Sequence, residues 1–129
     1  MAIKIQYIDD GVGIKIIASG IVTGEEIIEA HKEIYSKTNL KKQRYQIIDR
    51  SNCKDYQVSS TEVQRIADID KAAAKINPNI FMALISPTDV QFGMSRMWEA
   101  FIGETPFVTK VFRDRKSADE WIEEQLKKP

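Results

Sequence analysis

The chain has 129 residues, 43% hydrophobic and 29% charged, with 19 basic side chains balancing 19 acidic ones. That length is one domain's worth, residues 1–129, enough to bury a core and keep a polar surface. A net charge of zero excludes the basic excess expected of a nucleic-acid binder. The longest uninterrupted apolar run, Ile80–Ile85, is far too short for a transmembrane segment.

Ile3–Ile8 alternates apolar and polar residues, which predicts a strand and offers no signal-peptide core. Asp9-Asp10-Gly11 is turn chemistry, and Val12–Ala18 is the returning strand of a hairpin. Thr23 opens a helix with Glu26 at the capping-box position, and Ile27, His31, Ile34, Tyr35 and Thr38 share one face at helical spacing. Lys41, Lys42 and Arg44 make a small basic cluster that reads as a solvated loop. Arg44–Asp49 is the third strand. Arg50–Val58 reads as a βα loop, long against the usual span of about 2–6 residues. Ser59 and Glu62 form a second capping box, and Val63, Ile66, Ile69, Ala73 and Ile76 give that helix its buried face. Asn77-Pro78-Asn79 ends it, because proline cannot continue the hydrogen-bond ladder.

Ile80–Ile85 is the most apolar strand. A helix follows from Thr88, with Val90, Met94, Met97, Trp98 and Phe101 toward the core and Gly103 as its stop. Phe107–Arg113 is the last strand, and Asp114 caps a final helix that buries Ala118, Trp121, Ile122 and Leu126. Strands alternating with helices of this length predict an α/β fold: a five-stranded, mixed but mainly parallel sheet, an N-terminal β-hairpin and about four helices.

Strand alternation gathers Lys4, Gln6, Lys15, Gln46 and Lys110 on one sheet face, together with Ile17, Ile48, Met82, Leu84 and Phe112. An apolar patch with a polar rim predicts a partly uncovered face and a homodimer. Cys53 is the only cysteine, so an intrachain disulfide is impossible and a reducing, cytoplasmic setting is expected. One histidine and one cysteine cannot supply the usual zinc or iron ligands, and the carboxylates lack metal-loop spacing. Neither a metal nor a cofactor is expected.

An opening hairpin followed by successive βα units resembles the STAS fold of anti-sigma-factor antagonists, and more closely the SpoIIAA-like group. The segments that carry the likeness are Gly20-Ile21-Val22-Thr23-Gly24-Glu25-Glu26, Ile47-Ile48-Asp49, Ile66-Ala67-Asp68-Ile69-Asp70, Ile85 through Met94, and Val111-Phe112-Arg113-Asp114. The resemblance implies protein–protein regulation, or binding of a small ligand or lipid at the strand ends. Antagonist members carry an Asp-Ser-Ser-Gly phosphosite at the helix after the third strand. Here the stretch is Val58-Ser59-Ser60-Thr61-Glu62, with the serines but without the flanking aspartate and glycine.

Asp49, Ser51, Ser59, Ser60, Ser86 and Asp89 are expected at the carboxyl ends of parallel strands, where open α/β sheets bind ligands and helix N-termini favour anions. Phe92 joins them as an exposed contact point. Ser59 and Ser60 are the phosphorylation candidates. Helix caps and turn acceptors account for the same serines and aspartates without any ligand. His31 reads as a hydrogen-bonded core histidine and Cys53 as a bystander thiol, because no activating partner accompanies either. The expected function is a non-enzymatic regulatory or binding module acting through protein–protein interaction. The alternative is a small-molecule or lipid-binding domain with an apolar pocket between the Met94–Phe101 helix and the sheet. A deep apolar cavity favours the second and a flat patch the first. An enzyme ranks third, since no acid–base pair or nucleophile can be assigned.

Overall fold

The computed structural model describes residues 2–128, apart from the side chains of residues 37 and 38. The helix that starts after Thr23 ends at Ile34, so Thr38 falls in a separate turn and not on that helix's face. The elements are β1 (Ile3–Ile8), β2 (Gly13–Thr23), α1 (Gly24–Ile34), α2 (Lys37–Leu40), β3 (Tyr45–Gln57), α3 (Ser60–Ile76), β4 (Phe81–Ile85), α4 (Asp89–Ile102), β5 (Val108–Phe112) and α5 (Arg115–Lys127). The strands stand side by side in chain order, β1 antiparallel to β2 and the rest parallel. This is the expected α/β architecture, with the single-turn α2 added to its four longer helices.

Local chemistry sets the boundaries. The hairpin turns at Asp9–Gly11, where Gly11 has φ 92°. Thr23 and Glu26 close a capping box on α1, Ser59 and Glu62 on α3, and Thr88 and Gln91 on α4, while the Asp114 side chain caps α5. Gly103 ends α4 at φ 55°, a conformation that costs glycine least.

Right-handed crossovers in a sheet that grows in one direction place all connecting helices on one side. Hence α1, α3 and α4 cover one face and pack on Ile14, Ile16, Ile48, Met82 and Leu84. Only α5, after the last strand, folds onto the other face, where Ala118 and Ile122 meet Ile47, Phe81, Ala83, Ile85 and Phe112.

The register corrects the expected face. Lys15 pairs with Ile47, and Ala83 with Lys110, whereas Gln46 lies between Ile14 and Met82. Lys4, Gln6, Lys15, Ile17, Lys110 and Phe112 do share a face, but Gln46, Ile48, Met82 and Leu84 are on the opposite one, buried under helices. A one-residue offset between parallel strands exchanges the faces, and alternation within each strand does not fix that offset. Phe112 is buried as well, against Trp121. The apolar patch that motivated a homodimer is therefore reduced to Ile17.

A second correction concerns Arg50–Val58. Residues through Gln57 continue β3 and pair with a β2 that itself runs to Thr23, through irregularities at Ile17/Ser19 and Gly20/Ile21. Serine, asparagine and aspartate suggest a loop, and register shifts of this kind break the period-2 signal. Beyond Asp49, which pairs with Ile85, β2 and β3 extend past the end of β4.

Candidate functional site

Between the sheet and its three helices lies a cavity of about 40 Å³. Ile16, Ile48, Met82 and Leu84 form its sheet wall, and Met94 and Trp98 project from α4. Two ionisable side chains, His31 and Arg50, also line it.

Arg50 is 8% exposed. It follows Gln46 and Ile48 at every second position of β3, so it faces the helices. Its Nη1 donates to Ser86 Oγ at 3.2 Å and Ser95 Oγ at 2.6 Å. These two serines, 0% and 1% exposed, lie 2.8 Å apart, Oγ to Oγ. The guanidinium carbon stands 5.0 Å from the centroid of the Tyr56 ring, itself part of the cavity wall. Among the described residues no carboxylate pairs with Arg50, and Nε and Nη2 make no hydrogen bond. Burying an ion costs several kcal/mol, usually offset by a counter-charge. Here the offset is limited to two hydroxyls and one aromatic face.

Deeper in the same layer, Asp70 is 0% exposed and fully engaged. It accepts hydrogen bonds from Tyr35 Oη and from Trp98 Nε1, each at 2.6 Å. His31 Nε2 lies 3.6 Å from the same carboxylate. The other ring nitrogen, Nδ1, donates to the Ile27 carbonyl at 2.9 Å. Gln46 Nε2 donates to Tyr35 Oη at 3.1 Å and to Gln43 Oε1 at 2.8 Å. Burial pushes the Asp70 carboxyl up, against the opposing pull of His31, Tyr35 and Trp98. Burial and the neighbouring Asp70 push the Tyr35 phenol well above its usual range. His31 is thus a core histidine, as its isolation predicted. With both ring nitrogens directed at protein groups, it has none to offer a substrate.

The residues expected to form one site separate into several. Asp49 is buried on the α5 side, where it accepts the Ser51 N–H at 2.9 Å and stands 3.9 Å from Arg115 Nη1. Ser51 is exposed. Ser59 is an N-cap: its Oγ accepts the Glu62 N–H at 3.1 Å, and its own N–H donates to Glu62 Oε1 at 2.9 Å. Ser60 is exposed at the first position of α3. Ser86 points inward and holds Arg50. Asp89 and Phe92 do meet, through Arg113, which bonds Asp89 Oδ1 at 2.9 Å and lies 4.2 Å above the Phe92 ring. Cys53 is buried, and burial raises its thiol pKa despite the opposing charge of Arg50, the reverse of an activated nucleophile.

Arg50 and Asp70 were missed as site residues, although both carried a signal. Arg50 continues the Gln46, Ile48 alternation, and Asp70 falls on the Val63, Ile66, Ala67, Ala73 stripe of α3. A charged residue on a buried period is the informative exception. Among the described residues, no three His, Cys, Asp or Glu side chains gather as a metal ion would require. No described helix is long and apolar enough to cross a membrane.

No family model and no curated protein matches the chain. A solved structure does: that of an uncharacterised DUF3478-family protein with a SpoIIAA-like fold from Shewanella loihica PV-4. The TM-score is 0.53 at 20% sequence identity, over 93% of this chain and 91% of that one. The chain therefore has the SpoIIAA-like fold, in agreement with the resemblance carried by its sequence segments.

Proposed function

We propose that this chain is a non-enzymatic regulatory domain of the STAS type that binds a small molecule in the cavity between α1, α3, α4 and the sheet. The supporting observation is the cavity itself: an apolar wall with one buried, uncompensated cation. Of the two readings open at the outset, an apolar cavity beside Met94 and Trp98 favours the ligand-binding one. Catalysis is disfavoured because His31 and Asp70 are turned toward each other and Cys53 is not activated.

Trp98 provides the test. In a Trp121→Phe background it is the sole tryptophan, and its indole lines the cavity. A panel of neutral and anionic apolar molecules of six to ten carbons is expected to include members that shift both Trp98 emission and the melting temperature. Ala18→Leu, which places bulk in the cavity wall, is expected to suppress both shifts while circular dichroism reports a retained fold. A panel with no active member would leave the cavity as a packing void.

Protein contact is the second reading, favoured by the exposed Asp89–Arg113 pair over the half-buried Phe92 ring at the carboxyl end of the sheet. Exposed Val90 lies beside it. Native mass spectrometry of the purified protein reads both proposals at once, as retained ligand mass and as subunit number.

A further inference from the structure

We infer that the cavity's ligand is a monoanionic amphiphile, a single carboxylate on an unbranched apolar chain, with its head on Arg50 and its chain among Ile16, Ile48, Met82 and Leu84. This rests on the ligand-binding reading above and gives it a chemical class. A guanidinium carries five N–H donors. Ser86 and Ser95 engage Nη1 alone, so Nε and Nη2 have no hydrogen-bond partner among the described residues, on a side chain that lines the cavity. The Nε–Nη2 edge of a guanidinium presents two parallel N–H groups, the geometry that a carboxylate accepts bidentately. The side chain is more than nine-tenths buried and lacks a protein counter-ion among the described residues, so a bound anion supplies the missing charge.

The charge of the head follows from what faces the cavity. Arg50 is the one lining side chain with a fixed positive charge; His31 is committed to Ile27 and Asp70. A phosphate dianion would leave a charge unmatched in a buried site, whereas a carboxylate balances it. The body of the ligand follows from the walls. Ile16, Ile48, Met82 and Leu84 offer no hydrogen-bond group, so a polar body would lose its water without compensation. The volume of about 40 Å³ is small for a chain of several carbons. Met94, half-buried on α4, is the wall element suited to yield, being unbranched and adaptable.

The test titrates the protein with octanoate and with 1-octanol at neutral pH, where the carboxylate is ionised, and reads Trp98 emission in the Trp121→Phe background. Octanoate is expected to bind about tenfold or more tightly than octanol, the increment of a charge-assisted hydrogen-bonded pair. Arg50→Met is expected to erase that preference while octanol binding persists. Arg50→Lys, which keeps the charge but not the fork, is expected to retain only part of it. Circular dichroism on both variants establishes that they fold. Equal binding of octanoate and octanol by the wild-type chain overturns the anionic class and leaves the cavity reading standing. A preference that survives in Arg50→Met overturns it too, by placing the anion elsewhere. Binding of neither molecule overturns this inference, and silence across the whole panel overturns the cavity reading with it.

Discussion

Two charges are buried in the same helix-covered layer, and they are handled in opposite ways. Asp70 is surrounded: Tyr35 and Trp98 donate to its two oxygens, and His31 stands 3.6 Å away. Arg50, which lines the cavity, has two serine hydroxyls on one nitrogen, an aromatic ring nearby and two nitrogens without a hydrogen bond among the described residues. A buried charge with every partner in place ties elements together, here α1 and α4 to α3. A buried charge with partners missing is retained against its own desolvation, which argues for a role outside stability. Removing each in turn puts that contrast at risk.

The largest effect is expected at Asp70. Asp70→Ala leaves the Tyr35 hydroxyl and the Trp98 N–H without their acceptor in a layer shielded from solvent. Leaving two buried donors without their acceptor costs about 1–3 kcal/mol each, to be read as a lower urea midpoint with unchanged m-value. A loss below about 1 kcal/mol, the scale of one ordinary hydrogen bond, would show that the cluster does not bind the helices together.

Arg50→Met carries the opposite sign. The charge and its desolvation go, an unbranched side chain of adaptable shape remains, and Ser86 and Ser95 keep their mutual hydrogen bond at 2.8 Å. A gain of about 1–3 kcal/mol is expected by analogy with apolar replacement of buried ions, with loss of anion preference. If Arg50→Met is instead destabilised by more than about 1 kcal/mol, Arg50 belongs with Asp70 as a structural residue, because its two hydroxyl partners then outweigh its desolvation.

The contrast was only partly legible in the amino-acid sequence. The capping boxes of Thr23 and Ser59 and the stops at Asn77 and Gly103 are local chemistry, so the helix ends they mark stand within a residue of where they were expected, whereas the unmarked end of α1 falls at Ile34, short of Thr38. The hairpin and strand order are topological and followed from the βα alternation. What did not follow was anything that depends on offset between strands. Gln46 and Lys15 each sat on a sound alternation, but the register decides which alternations share a face. Arg50 was hidden by the same cause: with β3 ended at Asp49, the next residue became a loop arginine rather than the third inward position of a strand. Asp70 needed no register. Its helical spacing placed it on the buried stripe, where an aspartate without a visible partner is a signal; its partners come from α1 and α4, distant in sequence.

A finer separation uses pH. Burial raises the Asp70 carboxyl above its unfolded value of 3.8. A raised carboxyl contributes stability that is complete below the unfolded pKa and is lost as pH rises through the folded one. Asn cannot titrate. The stability of the wild-type chain relative to Asp70→Asn is therefore expected to be greatest in acid, to fall as pH climbs from 3.8 through the folded pKa, and then to level off. Paired urea titrations across that range measure it. A difference that grows with pH would mean that His31, Tyr35 and Trp98 outweigh desolvation and hold the carboxyl down.

The smallest effect is expected at the surface, where Ser59 and Ser60 set the scale for a polar contact made in water. The Ser59 side chain accepts the Glu62 N–H at 3.1 Å and is exposed, so the helix loses one cap when it is removed. Ser59→Ala should lower stability by about 1 kcal/mol. Ser60, exposed at the first helical position and with no side-chain hydrogen bond among the described residues, should change stability by less than about 0.5 kcal/mol on conversion to Ala. Neither serine lines the cavity, so octanoate binding should match the wild-type value in both variants. That combination separates a cap from a site: the cap moves stability alone, whereas Arg50 moves binding and stability in opposite directions. Loss of ligand binding in Ser59→Ala at full retention of fold would move the functional centre from the cavity to the start of α3, and would restore the helix terminus as the place where an anion is held.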